Sequence, residues 1–175
     1  LSINHKRTLP LMATLLMAYA MFLMLGNGYA YDSQQNLIAQ IDIHLLGQAH
    51  LYHKSPVDPE GLASSLPAIA HTLIGFYCGR LMAMARTTEE KVLKCLLVGG
   101  VLVLIGYLAS FGLPLNKRIW SPSYVCITCG LAATCLGLLM YVIDMKGVSR
   151  SRLTFFLVFG TNPLFLYVVS ELLSI

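Results

Sequence analysis

Five long apolar runs dominate this sequence, near residues 9–29, 59–84, 92–111, 122–143 and 153–175. A helix needs about 20 apolar residues to cross the roughly 30 Å hydrocarbon layer of a bilayer. The runs therefore read as an all-α, polytopic transmembrane helical bundle of about five spans. Composition agrees: 57% of the chain is hydrophobic and only 11% is charged, whereas soluble domains average about 25% charged residues. No soluble domain, linker, low-complexity tract or internal repeat interrupts the pattern, so residues 1–175 read as a single integral-membrane domain. The chain opens at Leu1 with no Met and no signal-peptide pattern, and the expectation is a segment of a larger membrane protein.

The basic residues set an orientation. Lys6, Arg7, Arg80, Arg86, Lys91, Lys94, Lys146, Arg150 and Arg152 fall on one side of the runs, and Lys54, Lys117 and Arg118 on the other. Excess cations mark the cytoplasmic side. Residues 31–58 and 112–121 then form external loops, periplasmic if the source is bacterial and the membrane an inner membrane. The few cations flank apolar runs and form no nucleic-acid-binding face, so no nucleic-acid partner is expected. Membrane lipids are expected partners, and homo-oligomerisation is left open.

Small residues point to close helix packing. Gly75 and Gly79 form one small-xxx-small pair, and Cys126, Gly130 and Thr134, with Ala133 and Gly137, line the fourth run. Such residues let helix backbones approach closely in lipid. The five cysteines are Cys78, Cys95, Cys126, Cys129 and Cys135. All lie in or beside apolar runs, and Cys126–Cys129 lacks a second ligand pair, so buried packing thiols are expected and no metal site. The fifth run is broken by Gly160, Asn162 and Pro163. Proline removes a backbone donor, and irregular backbone at membrane depth must be buried in protein or line a cavity. Asn162 is thus a candidate site residue as well as a candidate patch for the broken backbone.

The outer loops hold the remaining polar candidates. Residues 37–54 place Leu37, Ile38, Ile41, Leu45 and Leu46 at helical spacing, which fits a short helix on the membrane surface, with Asp42, His44, His50 and His53 decorating it. The histidine spacing is poor for a metal; solvated or hydrogen-bonded histidines are the first reading, and substrate contact, for which His50 is the candidate, the second. Asp58 suits a helix N-cap, Pro59 a first helical position and Glu60 the positive end of the helix dipole. Two neighbouring carboxylates can also hold an amine or a sugar hydroxyl, or raise one another's pKa for proton transfer. Pro67 is expected to kink this helix, with Ser64 and Ser65 compensating. His71 falls near the centre of the second run, where an ionisable group is notable. In the other loop, Asn116, Lys117 and Arg118 suit an anion, Trp120 suits the interface, and Ser121-Pro122 reads as a helix start.

Three ordered motifs carry a family resemblance. They are His50-Leu51-Tyr52 with Asp58–Leu62, Leu66–Ile69 and Gly75–Arg80; Asn116–Tyr124; and Asn162–Tyr167. Together they resemble bacterial, NagX-like relatives of heparan-alpha-glucosaminide N-acetyltransferase, over the middle-to-late portion of that family's chains. The resemblance implies a membrane acyltransferase that takes acetyl from acetyl-CoA and places it on the amine of a glucosamine-type sugar across the bilayer. It also implies that the family's catalytic histidine lies in a part without counterpart here, so no catalytic residue is assigned. The substrate-binding candidates are His50, Asp58, Glu60, Asn116, Lys117, Trp120 and Asn162. The alternatives are a transporter for N-acetylglucosamine or a related sugar, which a broken span also suits, and a non-catalytic membrane bundle.

Overall fold

The structure, a computed structural model, describes residues 5–25, 30–32, 35–51, 58, 61–149 and 153–173. These form α1 (His5–Met24), α2 (Leu37–Leu46), a single 3-10 turn (Gln48–His50), α3 (Ser65–Ala83), α4 (Thr88–Ser110), α5 (Pro122–Met140), α6 (Thr154–Thr161) and α7 (Pro163–Leu173). A π-helical turn, Tyr141–Met145, continues α5. Among the described residues there is no strand.

Two helical stretches, Thr88–Ser110 and Pro122–Met145, are long and apolar enough to cross a bilayer. Only 22% and 28% of their most apolar windows are buried against the rest of the protein. A helix that is apolar all round is either a buried core helix or a membrane span, and outward-facing Leu97, Val101, Leu104, Ile105 and Leu108 favour the span. The apolar parts of α1 (Thr8–Met24) and α7 (Pro163–Leu173) are shorter.

Local chemistry sets the helix starts. Thr87 accepts the Glu90 N–H at 3.2 Å, and Glu89 and Glu90 sit in the first turn of α4, where the dipole favours anions. Ser121 caps α5 by accepting the Tyr124 N–H at 3.3 Å, with Pro122 at the first position. The expected start at Asp58 and Pro59 does not occur. Pro59 and Glu60 lie outside the described residues, Gly61–Ser64 form a bend and turn, and α3 begins at Ser65. Pro67 therefore falls in the first turn of α3, where a missing N–H has no intrahelical partner to lose. The hydroxyl of Ser64 donates to the Gly61 carbonyl at 2.7 Å and closes the turn.

The chain order makes α1, α3, α4 and α5 run alternately up and down. One end gathers α2, the Gly61–Ser64 turn and the loop between α4 and α5; it is called the loop end below. Arg80, Arg86, Lys91, Lys94 and Lys146 lie toward the opposite end. The most extensive contact is the antiparallel α4–α5 pair. A Cβ on Gly99 would meet the Gly130 carbonyl and the Thr134 N at 2.8 Å; one on Gly106 would meet Ile127 N and the Ser123 carbonyl at 2.9 Å. The α5 face carrying Cys126, Gly130 and Thr134 thus packs as its small residues imply. Its partner is Gly99 and Gly106. Among the described residues, a Cβ on Gly75 or Gly79 would meet nothing within 4 Å, so that pair makes no close helix contact there.

The helix break at Asn162 is present: α6 ends at Thr161, Asn162 has φ −127° and ψ 46°, and α7 starts at Pro163. Among the described residues, α6 and α7 pack only on one another.

Candidate functional site

Both loops expected on one side of the membrane meet at the loop end. Tyr19, Leu23, Ala30, Ile38, Ala39 and Ile119 form one buried cluster, flanked by Phe22, Tyr31 and Ala63. It joins α1, α2, the turn before α3 and the α4–α5 loop. The Tyr19 hydroxyl donates to the Ile119 carbonyl at 2.6 Å, a buried bond across 100 positions. A second cluster, Met12, Ile74, Val125 and Cys129, continues the core along α1, α3 and α5.

The 111–121 loop is shaped by its own polar groups. Asn116 Oδ1 accepts the N–H groups of Arg118 at 2.9 Å and Ile119 at 3.4 Å, and Asn116 N–H donates to Ser121 Oγ at 3.0 Å. An Asn that binds its own backbone two residues on forms a turn. Ser123 Oγ donates to the Leu113 carbonyl at 2.6 Å and pairs with Ser121 Oγ at 3.0 Å. Lys117 is exposed, and its carbonyl accepts the Trp120 N–H at 3.2 Å. Trp120 has φ 49°, and among the described residues no other non-glycine has a positive φ. Left-handed backbone is costly for a bulky residue and persists only where its surroundings impose it. The indole lies edge-on to His71, centroids 5.4 Å apart, and to Tyr124 at 6.3 Å.

His71 is the seventh residue of α3, and its contact with Trp120 places it toward the loop end of the bundle and away from the centre of the span. Its Nδ1 is buried without a hydrogen-bond partner.

Across the end from Trp120 stands α2. Asn36 caps it by accepting the Ala39 N–H at 2.7 Å and donates from Nδ2 to the Asp32 carbonyl. The buried face of α2 is Ile38, Ala39 and Asp42. Asp42 is fully buried. Its Oδ1 accepts the Leu62 N–H at 3.1 Å, while Oδ2 has no partner. Oδ2 fills the space a side chain at Gly61 would need. Burial chiefly, and then the nearby Asp58 charge, push the Asp42 carboxyl above its ordinary range against the pull of the Leu62 and Ala63 N–H groups. Asp58 is itself buried. Burial lifts the Tyr31 phenol to about 12; its hydroxyl lies near Ser121 without hydrogen-bonding geometry.

The structure thus gathers Asp58, Asn116, Lys117 and Trp120 at one end, with Asp42, Tyr19, Tyr31 and His71 beside them. His50 is near α2, but its ring contacts the Leu46 carbonyl at 2.9 Å at that helix's own end. Glu60 lies outside the described residues. Asn162 sits apart on the α6–α7 break, where its Nδ2 donates to the Val158 carbonyl at 3.3 Å and to Thr161 Oγ1 at 3.1 Å, so it patches the interrupted backbone. Asp42 was readable only as decoration of a surface helix. Its spacing of four from Ile38, on the face that turned out to be buried, was the available signal.

Among the described residues no group of three His, Cys, Asp or Glu side chains is arranged to hold a metal ion. A groove of about 390 Å³ opens between α1 and α4, lined by Leu9, Met12, Leu16, Leu102, Ile105 and Cys126 among others. It is apolar and distinct from the acidic cluster.

No family model matches the chain. Over 151 residues, 77% of this chain, it is 31% identical to heparan-alpha-glucosaminide N-acetyltransferase of Mus musculus, of which it covers 23%. Over 148 residues, 75% of this chain, it is 29% identical to the Homo sapiens protein of the same name, of which it covers 22%. The chain spans less than a quarter of the length of these curated relatives, and three quarters of it is similar in sequence to heparan-alpha-glucosaminide N-acetyltransferases.

Proposed function

We propose that this chain is part of a membrane N-acetyltransferase that moves an acetyl group from acetyl-CoA to the amine of a glucosamine-type sugar across the bilayer. The single observation that carries the reading is the meeting, at one end of the bundle, of two of the three segments that carry the resemblance: Ala63 packs against the buried cluster that includes Ile119, and the His71 ring lies against Trp120. Similarity to two N-acetyltransferases over about three quarters of the chain supports it. The reaction needs a group that accepts the ammonium proton before the nitrogen attacks the thioester, and buried carboxylates are suited to that task. The face of a half-buried indole offers a sugar ring a flat apolar wall.

In this reading the five apolar runs, including α1, α3 and the α6–α7 pair, all belong to the membrane. The basic end faces the cytoplasm, the loop end faces outward, and a bacterial inner membrane is the setting. Asp58, Glu60, Asn116, Lys117 and Trp120 belong to the acceptor side. His50 serves as its periphery, and Asn162 patches the helix break outside it. Lipids surround the bundle.

The test is vesicles carrying the full-length protein, with acetyl-CoA on one face and glucosamine on the other. Acetylated sugar without net sugar passage is expected. Uptake of labelled N-acetylglucosamine without acetylation would establish the transporter instead, a reading the broken helix at Asn162 favours. Neither signal would leave a non-catalytic bundle.

A further inference from the structure

Trp120 is the one described residue other than glycine with a positive φ, 49°. Such a conformation lasts in a bulky residue only where neighbouring bonds over-determine it. Those bonds lie on both sides of Trp120. The peptide between Ile119 and Trp120 is held at both polar ends: its N–H donates to the Lys117 carbonyl at 3.2 Å, and its carbonyl accepts the Tyr19 hydroxyl at 2.6 Å. The next peptide is held through the Ser121 N–H, which donates to the Asn116 carbonyl at 3.1 Å. Two of these three bonds are local to the turn. The third reaches in from α1, on a side chain that is fully buried. A phenyl ring would fill the same apolar cluster of Leu23, Ile38 and Ala39, so packing alone does not call for the hydroxyl. A planar peptide turns only through the dihedrals on either side of it, so a grip on the Ile119 carbonyl fixes φ of Trp120. That angle aims the indole, which lies edge-on to His71 at 5.4 Å and to Tyr124 at 6.3 Å. Trp120 is only half-buried, which leaves it surface for a ligand to meet.

We propose that Tyr19 is a positioning residue for the acceptor side of the site: its hydroxyl, by holding the Ile119 carbonyl, keeps Trp120 left-handed and its indole turned to His71. The role of the indole as a sugar wall rests on the proposed function, whereas the latch between Tyr19 and the turn does not. Without the hydroxyl the peptide turns over, Trp120 relaxes toward ordinary backbone, and the indole leaves the His71 ring. The sugar then loses its wall, while the acetyl donor, taken up from the opposite face, is held as before.

The full-length protein in detergent is compared with Tyr19→Phe, Trp120→Gly and the double variant. Glycine adopts a positive φ without strain, so on the Trp120→Gly background the latch has nothing to hold. Tyr19→Phe alone is expected to raise KM for glucosamine about fivefold, the net worth of one hydrogen bond. It should leave kcat and KM for acetyl-CoA unchanged and shift the Trp120 emission, read as the difference from a Trp120→Phe protein. On the Trp120→Gly background, Tyr19→Phe is expected to leave KM for glucosamine where Trp120→Gly alone puts it. It should also lower the melting temperature by less than it does with Trp120 in place. Unshifted Trp120 emission in Tyr19→Phe overturns the proposal, as does an equal fall in melting temperature on the two backgrounds. A KM raised by the same factor on both backgrounds overturns it too, because Tyr19 then acts on the fold at large. An emission shift with an unchanged KM for glucosamine overturns the positioning role and leaves the proposed function standing. If Tyr19→Phe does not fold, recovery of a single gel-filtration peak on adding Trp120→Gly supports the latch, and no recovery overturns it. Absence of acetyl transfer by the unaltered protein removes the proposed function; emission and melting temperature then decide the latch by themselves.

Discussion

Replacing Gly99 by alanine should force α4 and α5 apart. The new Cβ would lie 2.8 Å from the Gly130 carbonyl and from Thr134 N, both backbone atoms that no side-chain rotation can move. Non-bonded carbon contacts settle near 3.5–4.0 Å, so the helices must retreat by roughly 0.7 Å, enough to forfeit a quarter or more of each displaced contact. Overpacking of this kind costs about 1–3 kcal/mol. Alanine also favours helix over glycine by up to about 1 kcal/mol, which partly masks the loss. Gly100 supplies the control, because a Cβ there meets nothing within 4 Å among the described residues. Gly100→Ala carries the same propensity gain without the clash, so the difference between the two variants isolates the overpacking term of about 1–3 kcal/mol. Denaturant titration in mixed micelles, followed by helical circular dichroism, reads that difference. Gly99→Ala should melt well before Gly100→Ala, and Gly99→Ala/Gly130→Ala should be less damaging than the sum of its parts. Equal midpoints for the Gly99 and Gly100 variants would refute the close seam.

Three further outcomes are expected. Tyr19→Phe should cost about 1–2 kcal/mol by leaving the buried Ile119 carbonyl without its donor, measured in the same titration. Ser121→Ala should cost about 1–2 kcal/mol, because that hydroxyl both caps α5 and holds the Asn116 N–H; Trp120 fluorescence should shift with it. The raised carboxyl of Asp42 binds its proton more tightly in the folded state than in the unfolded one. Its contribution is therefore full below the ordinary aspartate range and is lost as pH rises through the raised value. Asp42→Asn should flatten that part of the pH–stability profile, and an unchanged slope would place the titration elsewhere.

Features governed by near neighbours in the chain were legible from the sequence. Ser121-Pro122 starts α5 where its cap chemistry requires, and Asn162-Pro163 breaks the last apolar run because proline lacks a donor. The existence of α4 and α5 follows from hydropathy, although α4 starts at Thr88, ahead of the apolar run that begins near residue 92, because Thr87 caps it there. Features that depend on a distant partner were not legible. The Asp58-Pro59 start gave way because the Gly61–Ser64 turn is held by Asp42 and Ser64, and α3 begins only after it. Gly75 and Gly79 have the spacing for close packing, but among the described residues no helix opposes them. Gly99 and Gly106, seven apart, are opposed by Gly130 and by the Ser123–Ile127 turn. The acidic half of the candidate site was hidden for the same reason. Asp42 is polar on a short amphipathic helix, and only the fold shows that its face is the one turned inward.

The antiparallel α4–α5 seam also sets an order of assembly. Its partners are close in the chain, joined through the loop between Ser110 and Pro122. The loop-end cluster instead ties Tyr19 to Ile119 across 100 positions. Closing a long loop costs more chain entropy than closing a short one, and local contacts form first. The hairpin should therefore show the strongest protection from hydrogen exchange, and the acidic cluster should be the last region to acquire it and the first to lose it. Lesions in the seam then remove the whole fold, whereas lesions around Asp42 leave a stable hairpin that has lost only what it was built to carry.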